Sequence, residues 1–256
     1  MELREILSVF NKIAPNTYAE GWDNVGLLVG REEKQVHKIM VALDPSSAVI
    51  EQAIQENVDL LITHHPLIFS GIKSVTSGHF ITNRIVQLLQ KDIAYYAMHT
   101  NFDKCHMAGL VGKRLGLTDC QVLELEEDKN CGIGIAGKIE KAVSLKEFAI
   151  DVKAKMELDS IQVFGEPDRE IQCIAIVPGS GKDYVKQALL LGADVLLTGD
   201  LGHHNGLDAL EQGLALLDGG HYGLEKVFVP YMTEVCQKEF GLPVVAAKEE
   251  APFWVV

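Results

Sequence analysis

A six-residue pattern occurs twice in the chain, first as Val58-Asp59-Leu60-Leu61-Ile62-Thr63 and again as Ala193-Asp194-Val195-Leu196-Leu197-Thr198. Each copy is a short apolar run of strand length that ends in threonine. Continuous apolar runs of this kind are typical of strands that are buried on both faces of a parallel sheet. The repetition therefore predicts two related sheets, one in each half of the chain.

The flanking sequence repeats as well. A strand-like run precedes each copy, at 38–43 and at 173–177, and a stripe of apolar residues at helical spacing separates the two runs in each half. Downstream, a predicted helix and strand follow at 80–90 and 93–98, and again at 207–212 and 214–217. Strands that alternate with helices predict an α/β fold with mostly parallel strands. We expect two interlinked, internally similar α/β halves, at 1–126 and 127–256. The boundary between them is approximate, and the alternative is that the C-terminus packs on the first half.

Three smaller elements complete this prediction. A helix over 3–13 should end before Pro15. The segment 127–170 reads as a further strand–helix–strand unit, whose helix begins with a capping box of Ser144 and Glu147. Gly116 and Gly241 stand where glycine C-caps end helices in the two halves.

The composition limits the classes of function. The chain has 256 residues, a net charge of −13 and 47% hydrophobic residues, which is typical of a globular domain. Its acidic balance argues against double-stranded nucleic acid as a partner, and no apolar run approaches the ~20 residues of a membrane helix. The five scattered cysteines form no CxxC pair, and the first residues lack the pattern of a signal peptide. We expect a cytoplasmic protein with reduced thiols.

Polar side chains follow the predicted strands at their carboxyl ends, where α/β sheets bind ligands. They are His64 and His65, His99 and Asp103, Asp200, His203 and His204, and His221 and Glu225. Clustered imidazoles and carboxylates suit zinc, iron, manganese or nickel, and a carboxylate can bridge two ions ~3.5–4 Å apart. The alternative is that His99, His203 and His204 are supporting or surface residues, and for His203 and His204 both interpretations stay open.

Two glycine-containing motifs favour structural roles. Pro178-Gly179-Ser180-Gly181-Lys182 lacks the GxxxxGK[ST] pattern of a P-loop, so we interpret it as a turn that enters a helix. The segment Glu20-Gly21-Trp22-Asp23-Asn24-Val25-Gly26-Leu27 predicts a turn stabilised by its own Asp and Asn side chains. A role of this second motif in shaping a pocket is the alternative.

Five ordered motifs together carry a resemblance to a known family. They are Trp22-Asp23-Asn24-Val25-Gly26-Leu27, Thr63-His64-His65-Pro66, His99-Thr100-Asn101-Phe102-Asp103, Thr198-Gly199-Asp200 and Gly220-His221-Tyr222-Gly223-Leu224-Glu225. Over nearly its whole length the chain resembles the Nif-three-like dinuclear metal-centre family, many of whose members are named homologues of GTP cyclohydrolase 1 type two. Phe102 replaces the leucine that is usual in the third motif. The chain is too short for the large inserted domain of some members and fits the compact form.

The resemblance implies a toroidal homohexamer of two interlinked α/β domains, with two divalent ions per chain. It implies His64, His65, Asp103, His221 and Glu225 as the metal ligands. Glu225 would bridge the ions; His65 and Asp103 would complete one ion, and His64 and His221 the other. His99 occupies in the first half the position that His221 occupies in the second, yet the implied set is complete without it. His99 is therefore our candidate for a general base or a supporting donor.

Two classes of function follow from these expectations. The first is a metal-dependent hydrolase that acts on a nucleotide-like substrate, with GTP suggested by the resemblance. The second is a non-enzymatic hexameric scaffold or regulator that binds metal and partner proteins. The enzyme is favoured because five His and carboxylate ligands for two ions leave coordination positions open, whereas structural zinc sites are closed and rich in cysteine.

Overall fold

The computed structural model describes residues 1–126 and 131–256, which form two compact units. The first unit consists of Met1–Phe102 and Phe228–Glu250, and the second of Asp103–Val227 and Ala251–Val256. Residues 127–130, where the predicted strand–helix–strand unit begins, lie outside the described residues.

The strands in the described residues are, in chain order, β1 (Gly26–Val29), β2 (Ile39–Ala42), β3 (Leu60–Thr63), β4 (Ala94–Ala97), β5 (Thr118–Leu125), β6 (Gly132–Ser144), β7 (Gln162–Phe164), β8 (Glu170–Ile176), β9 (Val195–Thr198), β10 (Ala215–Asp218) and β11 (Val244–Ala246). The helices are α1 (Leu3–Ile13), α2 (Ser47–Gln55), α3 (Phe80–Gln90), α4 (Thr100–Phe102), α5 (Ala108–Leu115), α6 (Leu145–Lys155), α7 (Val185–Leu190), α8 (His203–Glu211), α9 (His221–Glu225) and α10 (Phe228–Phe240). None of these helices combines the length and the apolar character that crossing a membrane requires.

The first unit contains a sheet in the order β1-β4-β3-β2-β11. Strands β11, β2, β3 and β4 are parallel, and β1 pairs antiparallel with β4. The sheet and helices α2 and α3 enclose an apolar core that includes Met40, Ile50, Leu61, Leu88 and Tyr95. Because the strands are buried on both faces, they read as the continuous apolar runs seen in the sequence.

The second unit contains a sheet in the order β5-β6-β8-β9-β10-β7. Its centre, β8, β9 and β10, is parallel, whereas β5, β6 and β7 pair antiparallel with their neighbours. A separate apolar core includes Ala175, Leu196, Ala209, Leu214 and Leu216.

The predicted α/β class and the internal repeat are confirmed. Strands β2, β3 and β4 correspond to β8, β9 and β10, and the last strand of each trio pairs with an antiparallel strand, β4 with β1 and β10 with β7. The aspartate of the repeat has the same role in both units. Asp59 accepts hydrogen bonds from the backbone amides of His37 and Lys38, and Asp194 accepts them from those of Gln172 and Cys173.

Several local predictions also hold. Helix α1 spans 3–13, and Ser144 and Glu147 form the capping box of α6. Gly116 ends α5 in the left-handed conformation with φ +82°. Gly241, with φ +62°, follows α10.

The two units divide the chain differently from the predicted halves, 1–126 and 127–256. Residues 103–126 belong to the second unit, because β5 pairs with β6 along most of its length. Residues 228–250 belong to the first unit, because β11 adds a parallel strand beside β2.

Candidate metal centre

The parallel strands of the first unit end in register, with Ala42, Thr63 and Ala97 side by side. The residues that come next therefore share one edge of the sheet. They include His64 and His65 after β3, and His99 two residues after β4.

A buried hydroxyl network fixes the turn that carries His64 and His65. The hydroxyls of Thr63 and Tyr95 both donate to the carbonyl of His65, and the Tyr95 oxygen accepts from the amide of Leu67 at 2.9 Å. Burial raises the pKa of Tyr95, so its hydroxyl stays protonated and keeps donating. The turn is thus held by groups that do not titrate near neutral pH.

Each histidine at this edge donates its Nδ1 hydrogen to an oxygen of the first unit. His64 donates to the carbonyl of Met98 at 2.8 Å, His65 to Asp44 at 2.8 Å, and His99 to Asp23 at 2.9 Å. This arrangement selects the tautomer in which Nε2 carries a lone pair. The ligand atoms that His64, His65 and His99 can offer lie within 4.8 Å of one another, as in a group that can hold a metal ion.

Asp23 supports His99 from a fully buried position, since its side chain is 0% exposed. One carboxylate oxygen accepts from His99 and from the amide of Asn24, and the other accepts from the amide and the hydroxyl of Thr100. Burial alone would raise the pKa of Asp23, but the hydrogen bonds from His99 and Thr100 outweigh it and lower the pKa to about 2. Asp23 is therefore a carboxylate at neutral pH, and it fixes the orientation of His99.

A second carboxylate, Glu249, supports the loop behind His65. Its two oxygens accept from the amides of Leu43 and Asp44, at 2.6 and 2.9 Å. Burial raises the pKa of Glu249, and these two hydrogen bonds oppose the rise. Glu249 thus holds the carboxyl end of β2, where Asp44 receives the hydrogen bond of His65.

In the second unit, the predicted ligands His221 and Glu225 lie one turn apart on α9. His221 donates through Nδ1 to Asp200 at 2.8 Å, and its Nε2 lies 3.0 Å from Oε2 of Glu225. The Glu225 side chain is 4% exposed, and a buried carboxylate beside an imidazole nitrogen is the kind of site that a cation stabilises.

The turn Pro178–Lys182, which the sequence left without a function, packs against this carboxylate. Gly179 has φ +74°, and a Cβ there would lie 2.4 Å from Oε1 of Glu225. The hydroxyl of Thr198, at the end of β9, accepts from the amide of Gly181 at 2.7 Å. The turn therefore needs glycine both for its backbone conformation and for the close approach of Glu225.

Asp218, at the end of β10, connects the two loops of the second unit. Its oxygens accept from the amides of Leu201 and Gly220, both at 2.8 Å. The loop that carries Asp200 and the loop that leads to His221 are thereby held to one side chain.

The remaining predicted site residues lie in different surroundings. Asp103 begins a five-residue π-helix, Asp103–Met107, that continues into α5; short π-helical segments are frequent at functional sites. His203 and His204 are exposed in the first turn of α8, and their rings contact each other at 5.3 Å between centroids.

Comparison with known proteins identifies the family of the chain. The profile of the Duf34/NIF3 family, described as NGG1p interacting factor 3, matches residues 1–252. The chain belongs to this family. A relative from Clostridium perfringens named GTP cyclohydrolase 1 type 2 homolog is 34% identical over 241 residues, covering 93% of this chain and 91% of the relative. One from Streptococcus pneumoniae with the same name is 35% identical over 236 residues, covering 88% and 86%.

Three solved structures share the fold of this chain. Staphylococcus aureus protein SA1388 superposes with a TM-score of 0.93 at 29% identity, covering 100% of this chain and 99% of that one. Reduced HcgD from Methanocaldococcus jannaschii superposes with a TM-score of 0.82 at 31% identity, covering 96% and 97%. A Bacillus cereus protein related to NIF3 has a TM-score of 0.92 at 23% identity, covering 100% and 99%.

Three of the supporting carboxylates of this Duf34/NIF3 chain were not assigned a role from sequence. Asp44 directly follows the β2 run, so the strand-end rule that found the histidines could also have found it. The sequence places Asp200 at a strand end but does not predict its hydrogen bond with His221. Asp23 lies in a turn motif whose local pattern gave no sign that it meets His99, 76 residues away in sequence.

Proposed function

We propose that the protein is a metal-dependent hydrolase with a dinuclear centre, whose substrate is nucleotide-like. The ligands would be His64, His65, Asp103, His221 and Glu225, as the resemblance to the family implies. The observation that carries the proposal is the orientation of the three histidines in this set. Each donates through Nδ1 to a protein oxygen and presents the lone pair of Nε2 for coordination.

The donor chemistry agrees with this function. Imidazole nitrogens and carboxylate oxygens suit zinc, iron, manganese or nickel, and no cysteine belongs to the set. When bound, such ions would lower the pKa of a water molecule towards neutrality and neutralise an anionic substrate, which a chain of net charge −13 otherwise repels.

The chain itself would supply the proton acceptor. Nδ1 of His99 is committed to Asp23, so His99 accepts a proton at Nε2. The buried charge of Asp23 then stabilises the imidazolium that forms, as an orienting carboxylate does beside a catalytic histidine. The relatives named GTP cyclohydrolase 1 type 2 homolog support a nucleotide-like substrate.

The test of the metal centre is elemental analysis of Glu225→Ala beside wild type. A bridging carboxylate serves both ions, so this variant should lose most of both. Glu211→Ala, at the exposed end of α8 in the same unit, is the control and should keep wild-type metal. Full occupancy in Glu225→Ala would reject the bridging role. Nucleotides are then screened for turnover with each metal restored.

We also propose that the protein is a cytoplasmic, toroidal homohexamer, as the resemblance implies. Acidic subunits can assemble when their contacts are apolar and charge stays on the outer surface. Light scattering at micromolar concentration should give the mass of six chains, and a monomer would reject the assembly.

The alternative function is a non-enzymatic scaffold or regulator that binds metal and partner proteins. The family description, NGG1p interacting factor 3, favours this alternative. It predicts full metal occupancy and hexamer formation without turnover of any nucleotide in the screen.

A further inference from the structure

Two aromatic side chains of the first unit stand in solvent beside His99. Trp22 is 60% exposed and Phe69 is 54% exposed. Their ring centroids lie 5.8 Å apart, and those of Trp22 and Phe69 lie 6.1 and 6.4 Å from the ring of His99. Large aromatic side chains this exposed, grouped at one place, mark binding surfaces.

The pair is held in place by the backbone of two loops. Trp22 precedes Asp23, whose carboxylate is fixed by four hydrogen bonds from His99, Thr100 and Asn24. The amide side chain of Asn24 donates to the carbonyl of Ile68, next to Phe69. The loop of Trp22 and the loop of Phe69 are therefore tied together, and the two rings form a prepared surface.

We propose that Trp22 and Phe69 form a stacking platform for the planar heteroaromatic ring of the substrate. The inference rests on the proposed function, since it adds the ring-binding part of the same site. The occupant is argued from position: both rings of the platform lie beside the ring of His99, the proposed proton acceptor, so a ring stacked there lies close to His99.

The geometry says how the ring binds. A ring between Trp22 and Phe69 would need about 7 Å between their centroids, which is two contacts of about 3.5 Å. The observed 5.8 Å is too short, and the two rings are tilted by 50° to each other, so the ligand stacks on the exposed face of one ring and meets the other ring edge-on.

The platform binds the face of a planar ring by stacking and forms no hydrogen bonds with the edge of a base. Asp23, the carboxylate closest in sequence to Trp22, already accepts four hydrogen bonds, so it does not read the edge of a guanine. Stacking tolerates every base because each has a π face. Guanosine and adenosine should therefore bind with similar affinity.

The test uses tryptophan fluorescence of the full chain with metal removed by a chelator. Trp254→Phe leaves Trp22 as the one tryptophan, because the sequence has two. Guanosine and adenosine should both quench Trp22, whereas ribose 5-phosphate and tripolyphosphate, which lack a planar ring, should not. Failure of both nucleosides to quench Trp22 would overturn the platform.

Alanine variants test whether Trp22 and Phe69 bind the ring. Trp22→Ala and Phe69→Ala, measured by equilibrium dialysis with labelled guanosine, should each weaken binding about 5- to 150-fold. Trp22→Phe, which keeps a ring, should lose less. Phe80→Ala is the matched control, since Phe80 is 59% exposed in the same unit and packs on His79 and Arg84. Equal guanosine affinity in Trp22→Ala, Phe69→Ala and Phe80→Ala would reject the assignment.

Two further readouts separate this inference from the others. Metal content is measured on each variant: Trp22→Ala that keeps both ions and loses guanosine supports the platform. Guanosine binding by a chain that takes up none of the four divalent metals when they are added back would leave the platform standing and reject the metal-dependent hydrolase. If Trp22→Ala changes the assembly mass and guanosine never binds, the pair is a contact between copies, and the platform is wrong.

Discussion

The two units carry the same strand end with different chemistry. After Thr63 the first unit continues with His64 and His65, and after Thr198 the second continues with Gly199 and Asp200. The first position holds a fully buried imidazole in one unit, whereas a Cβ in the other would lie 2.6 Å from the amide nitrogen of His221. The second unit thus excludes a side chain where the first presents a ligand candidate.

At the next position, a histidine in the first unit is replaced by an aspartate in the second. His65 donates a hydrogen bond to Asp44, whereas Asp200 accepts one from His221. In the first unit the imidazole is at the strand end, as His65. In the second unit the imidazole is on α9, as His221, and the strand-end residue Asp200 orients it. A repeated scaffold fixes where side chains emerge, and the residue at each position fixes whether it binds or supports.

The largest expected effect concerns the corresponding pair His99 and His221. If the two positions differ in role, His99→Ala should keep both ions and reduce turnover about 10²–10⁴-fold, with a lower melting temperature because the buried carboxylate of Asp23 loses one hydrogen bond. His203→Ala, exposed on α8, is the control. Metal analysis, thermal unfolding and turnover are measured together. Loss of metal would make His99 a ligand like His221, and lowered stability with normal turnover would make its role structural.

The second prediction concerns Asp200, the carboxylate that orients His221 in the second unit. Asp200→Asn should weaken metal binding about 10- to 100-fold, because it removes the charge that orients His221. Asparagine is chosen because Asp200 has φ +59°, a conformation that asparagine tolerates. Zinc titration against a chromophoric chelator gives the affinity, with Asp208→Asn on the exposed face of α8 as control. Equal affinities would show that Asp200 does not act through His221.

Asp23 should make the first unit sensitive to acid. Its pKa is about 2, below the ordinary 3.8, so it stabilises the fold above pH 4, and the stabilisation is lost as pH falls through 2. The difference corresponds to about 2 kcal/mol. Urea unfolding from pH 5 to pH 2 should show a smaller loss of stability in Asp23→Asn than in wild type. The same slope in both proteins would contradict this origin.

The smallest expected effect concerns the turn Pro178–Lys182, which packs against Glu225 in the second unit. Gly179 and Gly192 have φ +74° and +72°, so alanine at either should cost about 1–2 kcal/mol of stability. Only at Gly179 would the new Cβ displace a carboxylate, since Gly192 has no neighbour within 4 Å. Metal affinity should therefore fall about tenfold in Gly179→Ala and stay unchanged in Gly192→Ala. A fall in both variants would mean that backbone strain, not Glu225, is responsible.

The strands and helices of the repeat are predicted well by the sequence because their signals are local. The apolar runs of β3 and β9 and the capping box of α6 need no distant partner to be recognised. Supporting contacts depend on residues far apart in sequence, such as Asp23 with His99 or Glu249 with Leu43. Whether the C-terminus packs on the first half stays open in the sequence for the same reason, since the pairing of β11 with β2 leaves no mark in either strand alone.

The return of residues 228–250 to the first unit has a consequence for synthesis on the ribosome. All of 103–227 is translated before β11 and Glu249 can complete the edge beside β2. Domains usually fold in the order in which they emerge, but here the unit that emerges first has to wait for the end of the chain. A nascent chain should therefore bury its second apolar core while the first sheet still has an open edge at β2, where a chaperone or a neighbouring chain can pair.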